Sequence, residues 1–324
     1  MNTKNILICS VGRRVALTKA FKTELNKLSP GSLVFTADID IKNAVACYFG
    51  DSAFNLGLFS DPNYCNDLLE KCLANNIGLI IPTIDTELLL LSKNQALFKE
   101  NGIEIVLSHQ SLITTCRNKN HTNGLFNDLG LKVPELIDIN NPTYPFFAKP
   151  IDGSSSKNLF LIQKENQIPK ALVEDKNMIF MEYLSPNVYD EYSVDLYYNL
   201  RSELVCAVPR LRIAVRSGEI SKGITLRNQV YDFVIEHFAF LEGAKGCITL
   251  QLFKHKATHE IFGIEINPRF GGGYPLSYKA GANYPSWIIK EYLLQKEVRF
   301  FDKWKTNLYF IRYDQDYFIS DYEL

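Results

Sequence analysis

Residues 265–273 read Glu-Ile-Asn-Pro-Arg-Phe-Gly-Gly-Gly, and this stretch says more about the chain than any other. Residues 261–266 before it alternate as a strand does, so Glu265, Asn267 and Arg269 point to one face. Gln251, a short hairpin upstream, adds a third side-chain oxygen. Such oxygens suit a hard cation such as Mg²⁺, and an arginine beside them suits phosphate. The stretch indicates a metal and nucleotide-phosphate site; the alternative is a polar outer strand face with a glycine-rich turn.

The composition is that of a soluble enzyme. The 324 residues are 46% hydrophobic and 22% charged, with a formal net charge of -1. The chain therefore lacks the basic excess of a nucleic-acid binder and is long enough for about two or three domains. Its seven cysteines form no C-x-x-C pair, which is typical of reduced thiols in the cytosol. The N-terminus runs into a short strand rather than a signal sequence, and no apolar run could span a bilayer. We expect a cytoplasmic protein that binds neither nucleic acid nor membrane.

The first third of the chain alternates short apolar strands with helices. The predicted strands lie at residues 6–9, 33–38, 79–82 and 103–107. The predicted helices lie between Gly12 and Leu28, at about 62–75 with Asp61 as the N-cap, and at 86–101. This pattern predicts a parallel α/β sheet covered by helices on both faces, with ligands beyond the carboxyl ends of its strands. Gly12 alone follows the first strand, so a dinucleotide-binding loop is excluded.

From Cys116 onwards antiparallel strands dominate and predict an α+β portion. The strand at 146–150 carries Lys149 between apolar residues, and a serine-rich stretch at 152–157 follows it. A poorly hydrated lysine attracts an anion such as phosphate, and the backbone N–H groups of that stretch, with Lys157, could close over it. The alternatives are a lysine that extends its ammonium group to solvent and a plain hairpin turn.

Arginines are the candidates for binding a substrate. Arg210, Arg212 and Arg216 share strand parity, so one face could bind a carboxylate bidentately; a solvated basic strand is the alternative. Arg13 and Arg14 begin a helix against the preference of its dipole, which indicates an anion nearby; for Arg14, a solvated side chain is the favoured alternative.

Taken in order, these motifs resemble those of the ATP-grasp superfamily, and in particular its carbamoyl-phosphate-synthase-like branch. The matching parts run from residues 10–14 to residues 265–269 and so cover nearly the whole chain. The resemblance implies a parallel α/β domain over residues 1–115, an ATP-grasp small subdomain over 116–185 and a C-terminal subdomain over 186–324. ATP would lie between the last two.

The resemblance also implies roles for single residues. Two lysines and a mobile cover loop would hold the phosphates, the segment after the run at 178–181 would bind adenine, and Glu191 would bind the ribose. The implied nucleotide-binding residues are Lys119, Lys149, Ser154, Ser155, Ser156, Lys157, Glu182, Tyr183, Leu184 and Glu191. The implied ligands of Mg²⁺, or of Mn²⁺ in its place, are Gln251, Glu265 and Asn267. The implied catalytic residues are Lys149 and Arg269, and the candidate substrate-binding residues are Arg13, Arg210, Arg212 and Arg227. The chain departs from the family at Asn118, where relatives often carry Asp, and in the serine-rich cover loop.

The function that follows from the resemblance is an ATP-dependent ligase that joins a carboxylate to an amine through an acyl phosphate. Lys149 and Arg269 would offset the charge that spreads onto the transferred phosphoryl group. Two alternatives stay open: a half-enzyme that phosphorylates bicarbonate or carbamate with a partner or as a homodimer, and a non-catalytic nucleotide sensor. A soluble dimer is common among relatives. The sequence identifies neither substrate.

Overall fold

The computed structural model describes residues 3–151, 159–216 and 218–320. A five-stranded sheet occupies the first third, in the order β3-β2-β1-β4-β5, and all its strands are parallel. Ile6 and Ile8 belong to one hydrophobic cluster, whereas Leu7 and Cys9 belong to another, so both faces of the sheet are covered. The predicted parallel sheet is confirmed. Its strands are β1 (Asn5–Cys9), β2 (Val34–Asp38), β3 (Ser52–Asn55), β4 (Ile77–Ile81) and β5 (Glu104–Ile105).

Helices flank this sheet, and two predictions about them need correction. The helix predicted at 86–101 is two helices that meet at Asn94. The predicted N-cap Asp61 lies before the helix, where its carboxylate accepts a hydrogen bond from the backbone of Asn63, the residue at the N-cap position. The helices are α1 (Val15–Leu28), α2 (Tyr64–Ala74), α3 (Asp85–Lys93), α4 (Gln95–Glu100) and α5 (Gln110–Arg117), with a 3₁₀ turn at Val45–Phe49.

A three-stranded antiparallel sheet follows, in the order β7-β6-β8. Its small core is built around Phe146, Ala148 and Ile162. The elements of this part are α6 (Lys119–Asp128), β6 (Phe146–Pro150), β7 (Phe160–Ile162), α7 (Lys170–Glu174) and β8 (Met178–Glu182).

The largest sheet has six antiparallel strands in the order β13-β12-β9-β10-β11-β14. The strands of this sheet are β9 (Tyr189–Tyr198), β10 (Leu204–Arg216), β11 (Glu219–Thr225), β12 (Gly246–His255), β13 (Ile261–Asn267) and β14 (Tyr309–Ile311). Antiparallel sheets after the parallel one confirm the predicted fold class, whereas the domain boundaries at 115 and 185 stay a prediction. The helices here are α8 (Gln229–His237), α9 (Tyr274–Ala280) and α10 (Tyr284–Ile288), with a π-helical turn at Ile289–Leu293.

Helices cover the two faces of the large sheet differently. On one face, Asn228 at the start of α8 donates a hydrogen bond to the Tyr192 hydroxyl. On the other face, Ser277 of α9 and Tyr284 of α10 both donate to Asp195, so these helices cover the C-terminal half of β9. The same face stays open along the N-terminal half of β9. None of the helices in the described ranges combines the length and the apolar character that a membrane crossing requires.

Candidate functional site

A cavity of about 1070 Å³ is lined by residues of both antiparallel sheets and by residues that follow strands β1 and β4 of the parallel sheet. It contains most of the side chains that the sequence singled out. The predicted residues that line it are Arg13, Lys119, Lys149, Glu182, Tyr183, Leu184, Glu191, Arg210, Arg212, Gln251, Glu265, Asn267 and Arg269. The cover-loop residues Ser154, Ser155, Ser156 and Lys157 lie outside the described residues.

The floor of the cavity is the open face of the large sheet. The β12–β13 ladder sets Gln251 opposite Glu265 and Thr249 opposite Asn267. Because side chains alternate along strands, these four face the same way, as the sequence pattern predicted for Glu265 and Asn267. The Gln251 Nε2 donates to Glu265 Oε2 over 3.3 Å, and Asn267 Oδ1 accepts from Arg269 Nη2, also at 3.3 Å.

The polar oxygens of this floor fit a hard cation. Burial raises the pKa of the Glu265 carboxyl, and the negative charge of Asp85 raises it further, whereas Lys149, Lys119 and Arg269 lower it. A carboxylate that is costly to bury gains from a metal ion beside it. The Gln251 amide presents its nitrogen to Glu265, and turning the amide by 180° would present its oxygen instead. Glu265, Asn267 and Gln251 are therefore suited to hold Mg²⁺ together.

Lys149 lies on β6 above this floor and is half-buried. Burial lowers its pKa to about 8, the Lys119 ammonium lowers it as well, and the Glu265 carboxylate opposes them. Lys119 begins α6, where its Nζ donates to the Ile151 carbonyl at 3.3 Å. Two ammonium groups that disfavour each other make a site that an anion would stabilise.

Asn118, which stands where relatives often carry Asp, has a structural role. Its side chain caps α6 by accepting from the backbone N–H groups of Asn120 and His121, at 2.9 and 3.3 Å. Asn and Asp serve equally well at an N-cap, so this change leaves Lys119 in place.

An apolar wall and an ion pair complete the lining of the cavity. Phe147, Met181 and Leu184 line it, and the backbone of Glu182 is fixed by a 2.8 Å hydrogen bond to the Glu135 carbonyl. Glu191 accepts from Arg212 Nη1 at 2.5 Å. Burial raises the pKa of Glu191 and lowers that of Arg212, so each depends on the other for charge compensation.

The comparisons with family models agree with this layout. Residues 6–106 match the model described as PylC-like, N-terminal domain, and residues 174–310 match that of an ATP-grasp in the biosynthetic pathway with Ter operon. The chain contains an ATP-grasp domain. The predicted resemblance to the ATP-grasp superfamily is therefore confirmed, while the carbamoyl-phosphate-synthase-like branch stays a prediction. A search of the curated proteins found no match to the chain.

Solved structures share the fold of the ATP-grasp chain at low identity. The biotin carboxylase domain dimer of Hydrogenobacter thermophilus 2-oxoglutarate carboxylase, in complex with MgADP, ADP and bicarbonate, has a TM-score of 0.70. It is 14% identical, over 95% of this chain and 74% of that one. The Bacillus licheniformis L-amino acid ligase is 15% identical over 90% and 74%, with a TM-score of 0.67.

Rhizobium etli pyruvate carboxylase T882A, solved with the activator acetyl coenzyme A, is 14% identical with a TM-score of 0.66. The comparison covers 86% of this chain but only 27% of the carboxylase. At such identities these likenesses show the fold and nothing finer.

The arginines of the large sheet do not form the shared carboxylate-binding face that their spacing predicted. Arg210 is 1% exposed, and its Nε and Nη2 both donate to Asp195 at 2.8 Å, so the fork is already occupied. Arg212 is held by Glu191 and by the Gly218 carbonyl. Two register shifts after Arg212 take Arg216 off the shared face, and it pairs with Asp314 instead.

Arg227 does not line the cavity of the ATP-grasp domain. Its guanidinium lies 4.4 Å from the Tyr231 ring centroid and 4.8 Å from that of Trp304. These aromatic contacts explain its position without a substrate. Arg13 is exposed and does line the cavity.

Sequence reasoning missed Asp85 of the N-terminal domain, and the solvated side chain that it favoured for Arg14 is wrong. Asp85 lines the cavity and accepts from Arg269, and Arg14 donates to the carbonyls of Thr83 and Phe270 at 2.9 and 3.1 Å. Burial lowers the pKa of Arg14 to about 10, and the neighbouring Arg269 charge adds to that effect. The only sequence signal for Asp85 is the prediction that ligands lie beyond the carboxyl ends of the parallel strands, here the strand predicted at 79–82. Its partner Arg269 lies 184 positions away.

Proposed function

We propose that the protein is an ATP-dependent ligase that joins a carboxylate to an amine through an acyl phosphate. One observation carries the proposal: a single cavity collects two lysines, an apolar wall, three side chains with oxygen donors for a metal, and Arg269. The low identities of the solved structures leave the activity itself to experiment.

The residues divide the cavity into a nucleotide end and a reaction end. Adenine would lie against Phe147, Met181 and Leu184, which direct the phosphates towards Lys119 and Lys149. Because its pKa is about 8, Lys149 carries its charge at neutral pH and offsets that of the phosphates. Glu265, Asn267 and Gln251 would hold Mg²⁺, which supplies Lewis-acid stabilisation of the phosphoryl oxygens when bound.

The chemistry needs no side-chain nucleophile. A carboxylate oxygen of the first substrate attacks the γ-phosphorus, the bond to the β-phosphate oxygen breaks, and ADP leaves. The amine of the second substrate then attacks the acyl carbon, the C–O bond to phosphate breaks, and the amine loses a proton to solvent. Arg269 stands beside Asn267 and would face the oxygens on which charge develops.

Oxygen transfer tests this proposal more sharply than turnover alone. We would incubate the protein with Mg-ATP, amine donors and a panel of amino acids and dipeptides, and measure ADP release, with Mn²⁺ as a second metal. The substrate pair found would then be used with ¹⁸O in the carboxylate. The proposal expects one ¹⁸O atom in each phosphate released. Unlabelled phosphate would contradict the acyl-phosphate route. ATP binding without turnover on every pair would contradict the ligase activity itself and favour a nucleotide sensor.

Bicarbonate phosphorylation is the second candidate. It is supported by the Hydrogenobacter biotin carboxylase domain, which has the same fold and was solved with MgADP and bicarbonate. ADP release with bicarbonate alone, and with no carboxylic acid in the panel, would favour it. That outcome would also call for a search for a partner chain or for a homodimer, which stays a prediction.

A further inference from the structure

Asp85 and Arg269 join the N-terminal domain to the ATP-grasp domain beside the metal-donor residues. Asp85 Oδ2 accepts from Arg269 Nε at 2.9 Å and from Nη2 at 2.5 Å. The two side chains are only 12% and 16% exposed, so this ion pair is largely shielded from water. Such pairs have a geometry that depends on both partners.

We propose that Asp85 is a positioning residue that holds the Arg269 guanidinium beside Asn267, where it can act on the transferred phosphoryl group. The inference rests on the proposed function for its effect on rate. Its structural part, that Asp85 fixes the orientation of Arg269, can be tested without turnover.

The contacts around the pair show that Asp85 is itself held in place. It is the first residue of α3, and its backbone carbonyl accepts from Arg117 Nη1 at 3.2 Å. A carboxylate in the first turn of a helix is also favoured by the helix dipole. Asp85 is therefore held in place by contacts that do not involve Arg269.

The other hydrogen-bond acceptors of Arg269 are uncharged oxygens. Its Nη1 donates to the Phe270 carbonyl at 3.1 Å, and that carbonyl also accepts from Arg14 at 3.1 Å. Two guanidinium groups thus share one oxygen, and their charges repel. The carboxylates whose charge acts on Arg14 or Arg269 are Asp85, Glu219 and Glu265. Glu219 is paired with Arg312 and Glu265 accepts from Gln251, so Asp85 is the one of these three acids that hydrogen-bonds Arg269.

A change at Asp85 should not act by weakening the metal site. Within the described residues, Asp85 makes no hydrogen bond to Gln251, Glu265 or Asn267. A lower rate in a variant that binds Mg-ADP as tightly as the unmodified protein therefore points to Arg269 and not to loss of metal.

Asp85→Asn is the central variant, with Asp51→Asn as its matched control. Asp51 lies in the same domain and pairs with Lys22 at 2.6 Å, and neither residue lines the cavity. The Nε–H resonance of Arg269, assigned by its absence in Arg269→Lys, should be protected from solvent exchange in the unmodified protein and in Asp51→Asn. In Asp85→Asn we expect exchange to rise to the level of exposed Arg13. An unchanged Arg269 signal would overturn the proposal.

Rate measurements test the second half of the inference. We expect Asp85→Asn to lower kcat for ADP release roughly 10- to 100-fold, as misplaced catalytic groups do, with KM for ATP and the affinity for Mg-ADP nearly unchanged. Arg269→Lys with Asp85→Asn should be no slower than Arg269→Lys alone, because Asp85 acts through Arg269. Additive losses, or a normal kcat, would contradict the positioning role. If the unmodified protein turns over no substrate, the proposed function fails, but the resonance experiment still decides the structural part.

Discussion

Arg210 and Asp195 form a bidentate ion pair inside the C-terminal sheet, with Nε–Oδ2 and Nη2–Oδ1 distances of 2.8 Å. Asp195 also accepts from the Ser277 hydroxyl at 2.6 Å. Both members of the pair are almost wholly buried, so each would be an uncompensated charge without the other. The pair thus fixes β10 against β9 directly below the cavity.

Breaking this pair should destabilise the protein strongly. We expect Asp195→Ala to lower the free energy of unfolding by about 3–5 kcal/mol, because Arg210 would lose its buried counter-charge. Denaturant unfolding measures the change. Asp190→Ala on the same strand is the control: its Lys256 pair is half-exposed and spans 3.9 Å, so we expect a loss below about 1 kcal/mol. Equal losses in the two variants would show that Arg210 does not depend on Asp195.

Glu265 should be indispensable for turnover but not for folding. Glu265→Gln keeps the side-chain volume and removes the charge that the metal needs. We expect an unchanged melting transition and a loss of activity at least as large as the 10- to 100-fold that an outer-shell change costs a metal enzyme. Glu260→Gln in the same hairpin, where the exposed carboxylate pairs with Lys132, should keep its rate. Normal ADP release by Glu265→Gln would remove Glu265 from the site.

Nucleotide binding should weaken as pH rises, because the pKa of Lys149 is lowered from 10.5 to about 8. Above pH 8 the free protein loses the ammonium charge that ADP needs, and we expect affinity to fall roughly tenfold towards pH 9–10. Binding there should also take up a proton, which calorimetry in buffers of different ionisation enthalpy detects. For stability the sign is opposite: the unfolded chain holds this proton up to its ordinary pKa, so this group's contribution rises with pH between the two values.

Lys149→Met provides the reference for that profile. Its affinity for ADP should be low and independent of pH, whereas Lys99→Met, at an exposed site, should follow the unmodified protein. A pH profile of Lys149→Met that still falls above pH 8 would assign the titration to another group. Unchanged binding at neutral pH would instead favour a lysine that extends to solvent.

The parallel sheet and the parity of the strands could be predicted from the sequence because they depend on local patterns. Uninterrupted apolar runs predict the parallel sheet, and alternation along residues 261–266 predicts that Glu265 and Asn267 share a face. Strand β3 was missed because its residues are half-exposed at a sheet edge and carry no such pattern. Gln251 and Glu265 lie together because the pairing of β12 with β13 brings them to one face, and Lys149 of the three-stranded sheet lines the same cavity.

Partners that are distant in sequence set the limit of such predictions. The residues next to Arg210 in the sequence do not indicate that it will form an ion pair with Asp195. In the same way, the residues next to Arg269 do not indicate its ion pair with Asp85. The parity argument for Arg216 fails because the β10–β11 ladder contains irregularities that no spacing rule indicates. These positions depend on tertiary packing, which one chain without its fold does not reveal.

The glycine-rich turn should tolerate a methyl group less well at residue 273 than at residue 272. A Cβ at residue 273 would lie 2.0 Å from Arg210 Nη1, which cannot retreat because Asp195 holds two other atoms of the same guanidinium. Since φ is -91° at Gly273, the penalty of Gly273→Ala comes from space and not from backbone conformation. We expect it to cost about 1–3 kcal/mol of unfolding free energy.

Gly272→Ala should cost less than Gly273→Ala, because its Cβ meets the Glu219 carboxylate at 2.7 Å, the end of a side chain that can move. Gly57→Ala has no atom within 4 Å of its Cβ and serves as the control, with no loss expected. Chemical denaturation of the three variants gives the order directly. If Gly273→Ala were as stable as Gly57→Ala, the guanidinium would have to be free to move, and the buried pair beneath the cavity would not be rigid.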